Sequence, residues 1–302
     1  MSARKTFLSV GECMVELSPG EGDCFRMGFA GDTFNTAWYA RRLLGDDWTV
    51  GYASCVGTDA ISDRMLETMQ SAGIDTATVR RMPDRTVGLY LIQLDNGERS
   101  FAYWRGEAAA RALANDPVWL SEVFGTADVI FYSGITLAIL SDAARDTFCA
   151  ALARARAGGA TTVLDTNMRA RLWPGEDAMR AGIMQGAAQA DIVLPSLDEE
   201  EAVFGEAEAP SVAARYHAAG ARLVVVKNGA GEILVSDSAS GSFTHAPKAV
   251  TQVIDSTAAG DSFDAAFLSA YLQGQGLETA AARGADLAGK VVQARGALVE
   301  PE

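Results

Sequence analysis

The sequence predicts an α/β fold in which helices cover both faces of a doubly wound, mainly parallel sheet. Six short runs, rich in β-branched and other apolar residues, alternate with helical runs along the 302 residues. These runs are apolar at nearly every position, as strands between two helix layers are. We predict the strands over residues 6–10, 48–53, 128–133, 161–165, 191–195 and 223–227.

The intervening segments carry apolar residues three and four positions apart, the spacing of helices with one buried side. Alternating strands and helices of this kind favour a doubly wound sheet. Ligands of such sheets bind beyond the carboxyl ends of the strands, so we expect the functional site there. We predict the helices over residues 33–44, 59–72, 141–157, 175–188, 197–204, 211–219, 260–272 and 277–295.

Two strand-like runs, residues 86–94 and 99–105, interrupt this alternation, and the Asn96-Gly97 step between them is a hairpin signal. Together with the strand-like segment 11–17 they predict a small antiparallel sheet that projects from the core. Two interpretations stay open: a hairpin with a structural role only, or a lid that excludes water from a reaction.

We expect one domain over residues 1–302, with any lid formed by about 11–27 and 86–105. The net charge of −14, from 25 basic and 39 acidic residues, disfavours nucleic acid and anionic membranes as partners. Four scattered cysteines and two histidines argue against a disulfide scaffold or a His-rich metal site, and they favour a cytoplasmic protein. The N-terminal apolar run carries Glu12 and Glu16, so it is typical of a strand and not of a signal peptide.

Two glycine patterns resemble nucleotide-binding motifs without completing them. Gly284 to Lys290 spells GxxxxGK, but Val291 stands where a P-loop has Ser or Thr. Gly229-Ala-Gly231 follows a predicted strand, but Leu234 replaces the third glycine of a dinucleotide fingerprint. We therefore expect neither a P-loop nor a hydride-transferring Rossmann enzyme.

The segment Asp255-Ser-Thr-Ala-Ala-Gly-Asp261 carries the clearest chemical signal, since small residues precede an acidic residue and a helix. The backbone N–H groups of Ala258, Ala259 and Gly260 lie where a helix N-terminus binds anions. A carboxylate beside such a site can accept a proton from a hydroxyl that attacks a phosphoryl group. The alternative is that Asp261 only caps the helix.

This segment, followed by SFDAAF, resembles the C-terminal signature D-T-x-G-A-G-D of the ribokinase (PfkB) family of sugar kinases, with Ala258 in place of a glycine. The family's N-terminal signature, a Gly-Gly pair followed by Asn, matches Ala30-Gly31 and Asn35. The resemblance extends over essentially the whole chain. It implies a ribokinase-like fold and phosphoryl transfer from ATP with Mg²⁺.

Within that family four blocks resemble the kinases of 2-keto-3-deoxygluconate: GECMVEL at 11–17, YWRGEAAA at 103–110, SGITLAIL at 133–140 and DTNMRARLW at 165–173. The resemblance implies phosphorylation of the C6 hydroxyl of this sugar acid, with Asp261 as the base. Alternatives are a kinase for fructose or for 2-keto-3-deoxygalactonate, and a sugar-binding regulator without catalysis.

An acidic protein that binds a sugar acid needs local cations, and arginine forms bidentate pairs with carboxylates. We expect Arg105 and Arg169 to hold the substrate carboxylate from two sides of a cleft. The alternatives are a solvated strand end and a salt-bridged loop. The resemblance implies that the substrate-binding residues are Gly31, Asp32, Asn35, Tyr90, Tyr103, Arg105, Arg169 and Asp261.

The resemblance also implies which residues bind the nucleotide and its cations. Glu199 is expected to act on Mg²⁺ through water, because Ser196 replaces the Asn of the family's Asn-x-x-Glu pattern. Asp255 matches a position that lies near a monovalent cation in some members, which raises K⁺ as a ligand. Members often pair through the lid sheet, so a homo-oligomer is expected. The nucleotide-binding residues implied are Asn167, Ser196, Lys227, Gly229, Gly231, Ala258 and Gly260.

Overall fold

The structure, a computed structural model, describes residues 4–95 and 98–301. Within these residues the strands form one large and one small sheet. The strands are β1 (Lys5–Val10), β2 (Met14–Pro19), β3 (Phe25–Ala30), β4 (Trp48–Gly57), β5 (Val79–Met82), β6 (Leu89–Asp95), β7 (Glu98–Trp104), β8 (Val129–Ser133), β9 (Thr161–Asp165), β10 (Ile192–Leu194), β11 (Leu223–Val226), β12 (Ile233–Asp237) and β13 (Gly241–His245).

The large sheet has the order β13-β12-β11-β10-β9-β8-β1-β4-β5. Every pairing from β11 to β5 is parallel, and only β12 and β13 run antiparallel to their neighbours. The predicted mainly parallel sheet is therefore confirmed.

The helices are α1 (Asp32–Leu43), α2 (Ala60–Ser71), α3 (Pro117–Phe124), α4 (Gly134–Ile139), α5 (Asp142–Ala157), α6 (Glu176–Ala187), α7 (Leu197–Phe204), α8 (Ala209–Ala218), α9 (Ala259–Leu272) and α10 (Leu277–Val291).

Helices cover both faces of this sheet, as predicted. Successive residues of β1 pack into different cores: Phe7 joins a cluster with side chains of α1, α2, α9 and α10, while Leu8 joins one with side chains of α3 to α8. Because alternate side chains of a strand point to opposite faces, this division places the two helix layers on opposite sides. Among the described residues, no helix combines the length and the apolar character needed to cross a membrane.

The small sheet has the order β3-β2-β6-β7. Its β6–β7 pairing is antiparallel, but β2 pairs with β6 in parallel, so the prediction of a wholly antiparallel sheet was wrong. In the chain β2 follows the core strand β1, and β6 follows the core strand β5. Because no hairpin links β2 directly to β6, the antiparallel direction is not required. The predicted turn at Asn96-Gly97 lies outside the described residues.

The remaining differences are at positions where the pattern is weak. The edge strands β5 (VRRM) and β13 (GSFTH) lack an apolar run, and the unpredicted helices α3 and α4 span only eight and six residues, too few for a clear helical period. The last helix, α10, ends at Val291, four residues before the predicted end at 295. None of these differences moves the carboxyl ends of the central strands, where the site is expected.

Candidate active site

A cavity of about 320 Å³ lies at the carboxyl ends of β9, β10 and β11, beside the N-termini of α1 and α9. The small sheet contributes Tyr90 and Tyr103 to its wall, and Arg105 follows directly after β7. Gly229, Gly231 and Asp255 are not among the lining residues, unlike the other predicted site residues. Those that line it are Gly31, Asp32, Asn35, Tyr90, Tyr103, Arg105, Asn167, Arg169, Ser196, Glu199, Lys227, Ala258, Ala259, Gly260 and Asp261.

Asp261 lies in the first turn of α9 and is 9% exposed. Asn35 of α1 donates a hydrogen bond from Nδ2 to its carboxylate at 2.7 Å, and Thr36 contacts its carbonyl oxygen at 3.4 Å. Burial raises the pKa of Asp261 to about 8, the charge of Asp32 acts in the same direction, and the Asn35 hydrogen bond opposes both. The carboxylate is thus positioned by α1 and titrates near neutral pH, as a general base does.

This pKa predicts a pH dependence of any reaction that uses Asp261 as a base. A base acts only when deprotonated, so kcat/KM should rise about tenfold per pH unit on the acidic side and level off near pH 8. In Asp32→Asn the acidic limb should move to lower pH, because one charge that raises the pKa is removed. Steady-state rates across this pH range measure the acidic limb of the wild type and of Asp32→Asn. A wild-type rate independent of pH below 8 would contradict Asp261 as the base.

The loop before α9 places backbone N–H groups at the cavity. Ala258 adopts the left-handed conformation with φ 60°, and the N–H of Ala259 donates to the carbonyl oxygen of Ser256 at 3.2 Å. The Ala259 amide is therefore engaged within the loop, unlike our expectation of a free donor. Gly260 and Asp261 follow as the second and third residues of α9, whose N–H groups have no acceptor inside a helix.

The left-handed conformation of Ala258 favours glycine at this position, since a Cβ there costs about 1–2 kcal/mol. We expect Ala258→Gly to raise the free energy of unfolding by up to about 1 kcal/mol, because part of the relief is lost to the more flexible unfolded chain. The neighbouring Ala259→Gly, at the first position of α9, relieves no strain and should instead lower it by up to about 0.5 kcal/mol. Denaturant unfolding of both variants measures the difference between their free energies of unfolding. Equal destabilisation by the two substitutions would show that Ala258 is not strained.

Asp255 anchors the other end of this loop. One of its carboxylate oxygens accepts hydrogen bonds from the N–H (3.0 Å) and the hydroxyl (2.7 Å) of Thr257. The other accepts from the N–H of Gly296 at 2.8 Å. The side chain is 6% exposed, and it ties the loop before α9 to the turn after α10.

Close backbone packing dictates the glycine at position 31, directly before α1. A Cβ on Gly31 would lie 2.2 Å from the carbonyl oxygen of Glu12, which is far inside contact distance. The side chain of Glu12 is buried and accepts a hydrogen bond from the guanidinium of Arg105. Burial raises the pKa of Glu12, and Arg105 opposes this.

Arg169 follows β9 and forms an ion pair with Glu199 of α7 at 2.5 Å. The second oxygen of Glu199 accepts the N–H of Met168 at 2.9 Å, so this carboxylate holds the loop after β9. Arg169 and Arg105, the two cations expected to bind a substrate carboxylate, are thus each paired with a glutamate of the chain.

Lys227 directly follows β11 and is a buried cation between two carboxylates. Its Nζ lies 3.0 Å from an oxygen of Asp165 and 3.0 Å from an oxygen of Asp264. Burial acts to lower the pKa of Lys227, but the two carboxylates outweigh it and the pKa is raised. The ammonium also lines the cavity, so it combines a structural ion pair with access to a ligand.

Several polar atoms around the cavity have no hydrogen-bond partner among the described residues. They include the side-chain oxygens Oδ1 of Asn35 and Asn167, whose amide groups donate to Asp261 and, at 2.8 Å, to Asp32. The oxygen Oε1 of Glu12 and the nitrogen Nε of Arg105 are also unpaired. Buried polar atoms are normally paired, so these atoms fit a ligand that carries both hydroxyl groups and an anionic group.

The donor set also fits a hydrated magnesium ion that arrives with a nucleotide. Within residues 4–95 and 98–301, no three acidic, His or Cys side chains are arranged to hold a metal. Asp165, Asn167 and Glu199 nevertheless line the cavity, and Mg²⁺ binds through few protein oxygens, phosphates and water.

The sequence did not single out four residues that shape the site. Glu12, Asp165 and Asp264 pair with Arg105 and Lys227 across 93, 62 and 37 positions, and no local pattern reveals such pairs. Arg171 lines the cavity, donates to the hydroxyl of Tyr103 and lies over its ring at 3.9 Å from the centroid. In the sequence, Arg171 stands out only as the second arginine of the segment Arg169-Ala-Arg171.

The profile of the pfkB family carbohydrate kinases matches residues 4–301. A 2-dehydro-3-deoxygluconokinase of Escherichia coli (strain K12) is 40% identical over 99% of this chain and 98% of its own. The PfkB protein from Polaromonas sp. JS666 is similar in structure, with a TM-score of 0.83 at 30% identity over 96% of each chain. A fructokinase from Xylella fastidiosa with bound ATP has a TM-score of 0.84 at 24% identity, over 97% of this chain and 94% of its own.

Proposed function

Since the chain belongs to the pfkB family of carbohydrate kinases, we propose that it transfers the γ-phosphoryl group of ATP to the C6 hydroxyl of 2-keto-3-deoxygluconate, also called 2-dehydro-3-deoxygluconate. The products are ADP and 2-keto-3-deoxy-6-phosphogluconate. The 40% identity to a kinase named for this sugar acid supports the substrate. The observation that carries the mechanism is the buried carboxylate of Asp261 at the N-terminus of α9.

In this mechanism Asp261 accepts the proton of the C6 hydroxyl as that oxygen attacks the γ-phosphorus. Asn35 orients the carboxylate through its amide N–H, and its unpaired oxygen is available to a sugar hydroxyl. The N–H groups of Ala258 and Gly260, together with that of Asp261, stabilise the charge that develops on the transferred phosphoryl group. Mg²⁺, bound with ATP, would neutralise phosphate charge, and Glu199 would contact its water shell.

On the sugar side, Arg105 and Arg169 donate to the substrate carboxylate, while Gly31, Asp32, Tyr90 and Tyr103 complete the binding surface. On the nucleotide side, we assign Asn167, Ser196 and Lys227 to the phosphates and the β11–β12 turn with Gly229 and Gly231 to the rest of ATP. Asp255 acts first as an anchor of the loop, and comparing rates in K⁺ and Na⁺ salts tests whether a monovalent cation binds near it.

We assign the small sheet the role of a lid, because it supplies Tyr90 and Tyr103 to the cavity wall. Its outer strands expose Phe25 (49%) and Trp104 (61%), which favours pairing of two chains through this sheet. Sedimentation of the intact protein tests the pairing. We place the enzyme in the cytoplasm, where ATP is available and the four free cysteines stay reduced.

A substrate panel tests the proposed function. The release of ADP is measured with 2-keto-3-deoxygluconate, its C4 epimer 2-keto-3-deoxygalactonate, fructose and ribose. We expect kcat/KM for the neutral sugars to be lower by about 10²-fold or more, because they cannot make the charged hydrogen bonds that the carboxylate of the sugar acid makes with the arginines. Preferred turnover of fructose would establish a neutral-sugar kinase. Binding of the sugar acid without ADP release would establish a regulator.

A further inference from the structure

We propose that Arg171 is a specificity-determining residue whose positive charge recognises the carboxylate of the sugar acid. This inference rests on the proposed function. Arg171 lies in a single 3₁₀ turn (Ala170–Leu172) after β9, two residues beyond Arg169, and lines the cavity together with it. No sequence motif pointed to Arg171. Its role in binding the carboxylate follows from comparing its contacts with those of Arg105 and Arg169.

The two arginines expected to bind the carboxylate carry little net charge toward a ligand. The Arg105 side chain is 8% exposed and is paired with the Glu12 carboxylate, which is 1% exposed. Arg169 is paired with Glu199 at 2.5 Å. Each arginine can still donate hydrogen bonds, but its pair with an ionised glutamate has no net charge. An incoming carboxylate would therefore face two neutralised guanidinium groups.

Arg171 differs because its contacts are with neutral groups. Its guanidinium lies 3.9 Å from the ring centroid of Tyr103 and donates to the hydroxyl of the same residue. In the part of the chain that the structure describes, Arg171 forms no ion pair. A guanidinium that stacks on a ring keeps most of its five N–H donors for an anion. Arg171 thus offers the cavity a cation without a counter-ion of its own.

The ring beneath Arg171 is itself held in place. Tyr103 pairs with Tyr90 across β6 and β7, and the two rings stack with centroids 5.8 Å apart. The hydroxyl of Tyr90 donates to the carboxylate of Glu16. The arginine therefore lies on a supported aromatic surface, which restricts its position and lowers the entropy that it loses when it binds an anion.

Substitution of Arg171 separates charge recognition from a purely structural contact. We expect Arg171→Gln to raise KM for 2-keto-3-deoxygluconate by about tenfold or more, the scale of one hydrogen-bonded ion pair. KM for the neutral carboxamide of the same sugar acid should hardly change, so the preference for acid over amide falls by about the same factor. Arg171→Lys should restore part of this preference, and KM for ATP should stay as in the wild type.

Arg180→Gln is the matched control, because Arg180 already pairs with Glu176 and Asp177 on α6, outside the residues that line the cavity. It should leave all these constants unchanged. If Arg171→Gln weakens acid and amide equally, Arg171 only supports Tyr103 and the inference is wrong. An unchanged KM for the acid also refutes it. A wild-type protein that releases no ADP with the sugar acid would refute the proposed function itself, so the two failures are distinguishable.

Discussion

Replacing Asp261 by Asn is expected to lower kcat for the sugar acid by about 10²-fold or more, the usual contribution of a positioned general base. The amide has nearly the same shape, but it cannot accept the proton of the C6 hydroxyl. The carboxylate of Asp261 is buried and accepts a hydrogen bond from Asn35 at 2.7 Å, and the oxygen of an asparagine can still accept that bond. Binding of the sugar acid should be largely kept.

Steady-state ADP release above pH 8 measures this loss where the wild-type base is deprotonated. Asp286→Asn is a suitable control, because Asp286 lies on α10 in an exposed pair with Lys248 and has the same change in charge. The control should keep full activity. A kcat of Asp261→Asn within tenfold of the wild type would remove Asp261 from the mechanism.

Replacing Lys227 by Met is expected to lower the free energy of unfolding by about 3–5 kcal/mol, the cost of leaving a buried charge without its partner. Lys227 is buried, and it neutralises Asp165 and Asp264 together. Burial already raises the pKa of Asp264 well above its usual value, and removing the ammonium would raise it further. The loss of stability should therefore be smaller at low pH, where the carboxyl is protonated.

Denaturant unfolding at neutral and acidic pH measures this effect. Lys248→Met is the control, because its side chain is 82% exposed, and it should change stability by less than about 1 kcal/mol. Adding Asp264→Asn to Lys227→Met should recover part of the loss by removing one unpaired charge. Equal effects of the two lysine substitutions would contradict the buried ion-pair assignment.

The sequence predicted the core of this fold well because its strands are buried on both faces. The runs at 161–165 and 197–204 match β9 and α7 residue for residue. The direction of β2 relative to β6 was missed, because residue patterns define the faces of a strand but not its neighbour. Edge strand β13 was missed because a solvated edge needs no apolar run.

Site residues could be predicted where a charged residue stands at the end of a predicted strand or at the start of a predicted helix. Small residues before Asp261 at a helix start predicted an anion site, and arginines after strands predicted cations beside it; the structure brings both sets of residues to one cavity. What the sequence could not show is which charges cancel. The partners of Arg105 and Lys227 come from distant segments, so the pairing that distinguishes Arg171 from Arg105 and Arg169 exists only in the folded chain.

In the proposed mechanism the cavity delivers the C6 hydroxyl of the sugar acid to Asp261 and the γ-phosphate to the start of α9. Phosphorus NMR of the product formed from 2-keto-3-deoxygluconate and ATP tests this arrangement. We predict one phosphate ester, coupled to the two protons on C6, and one ADP released for each ester formed. An ester at another hydroxyl, or inorganic phosphate in place of an ester, would contradict this arrangement.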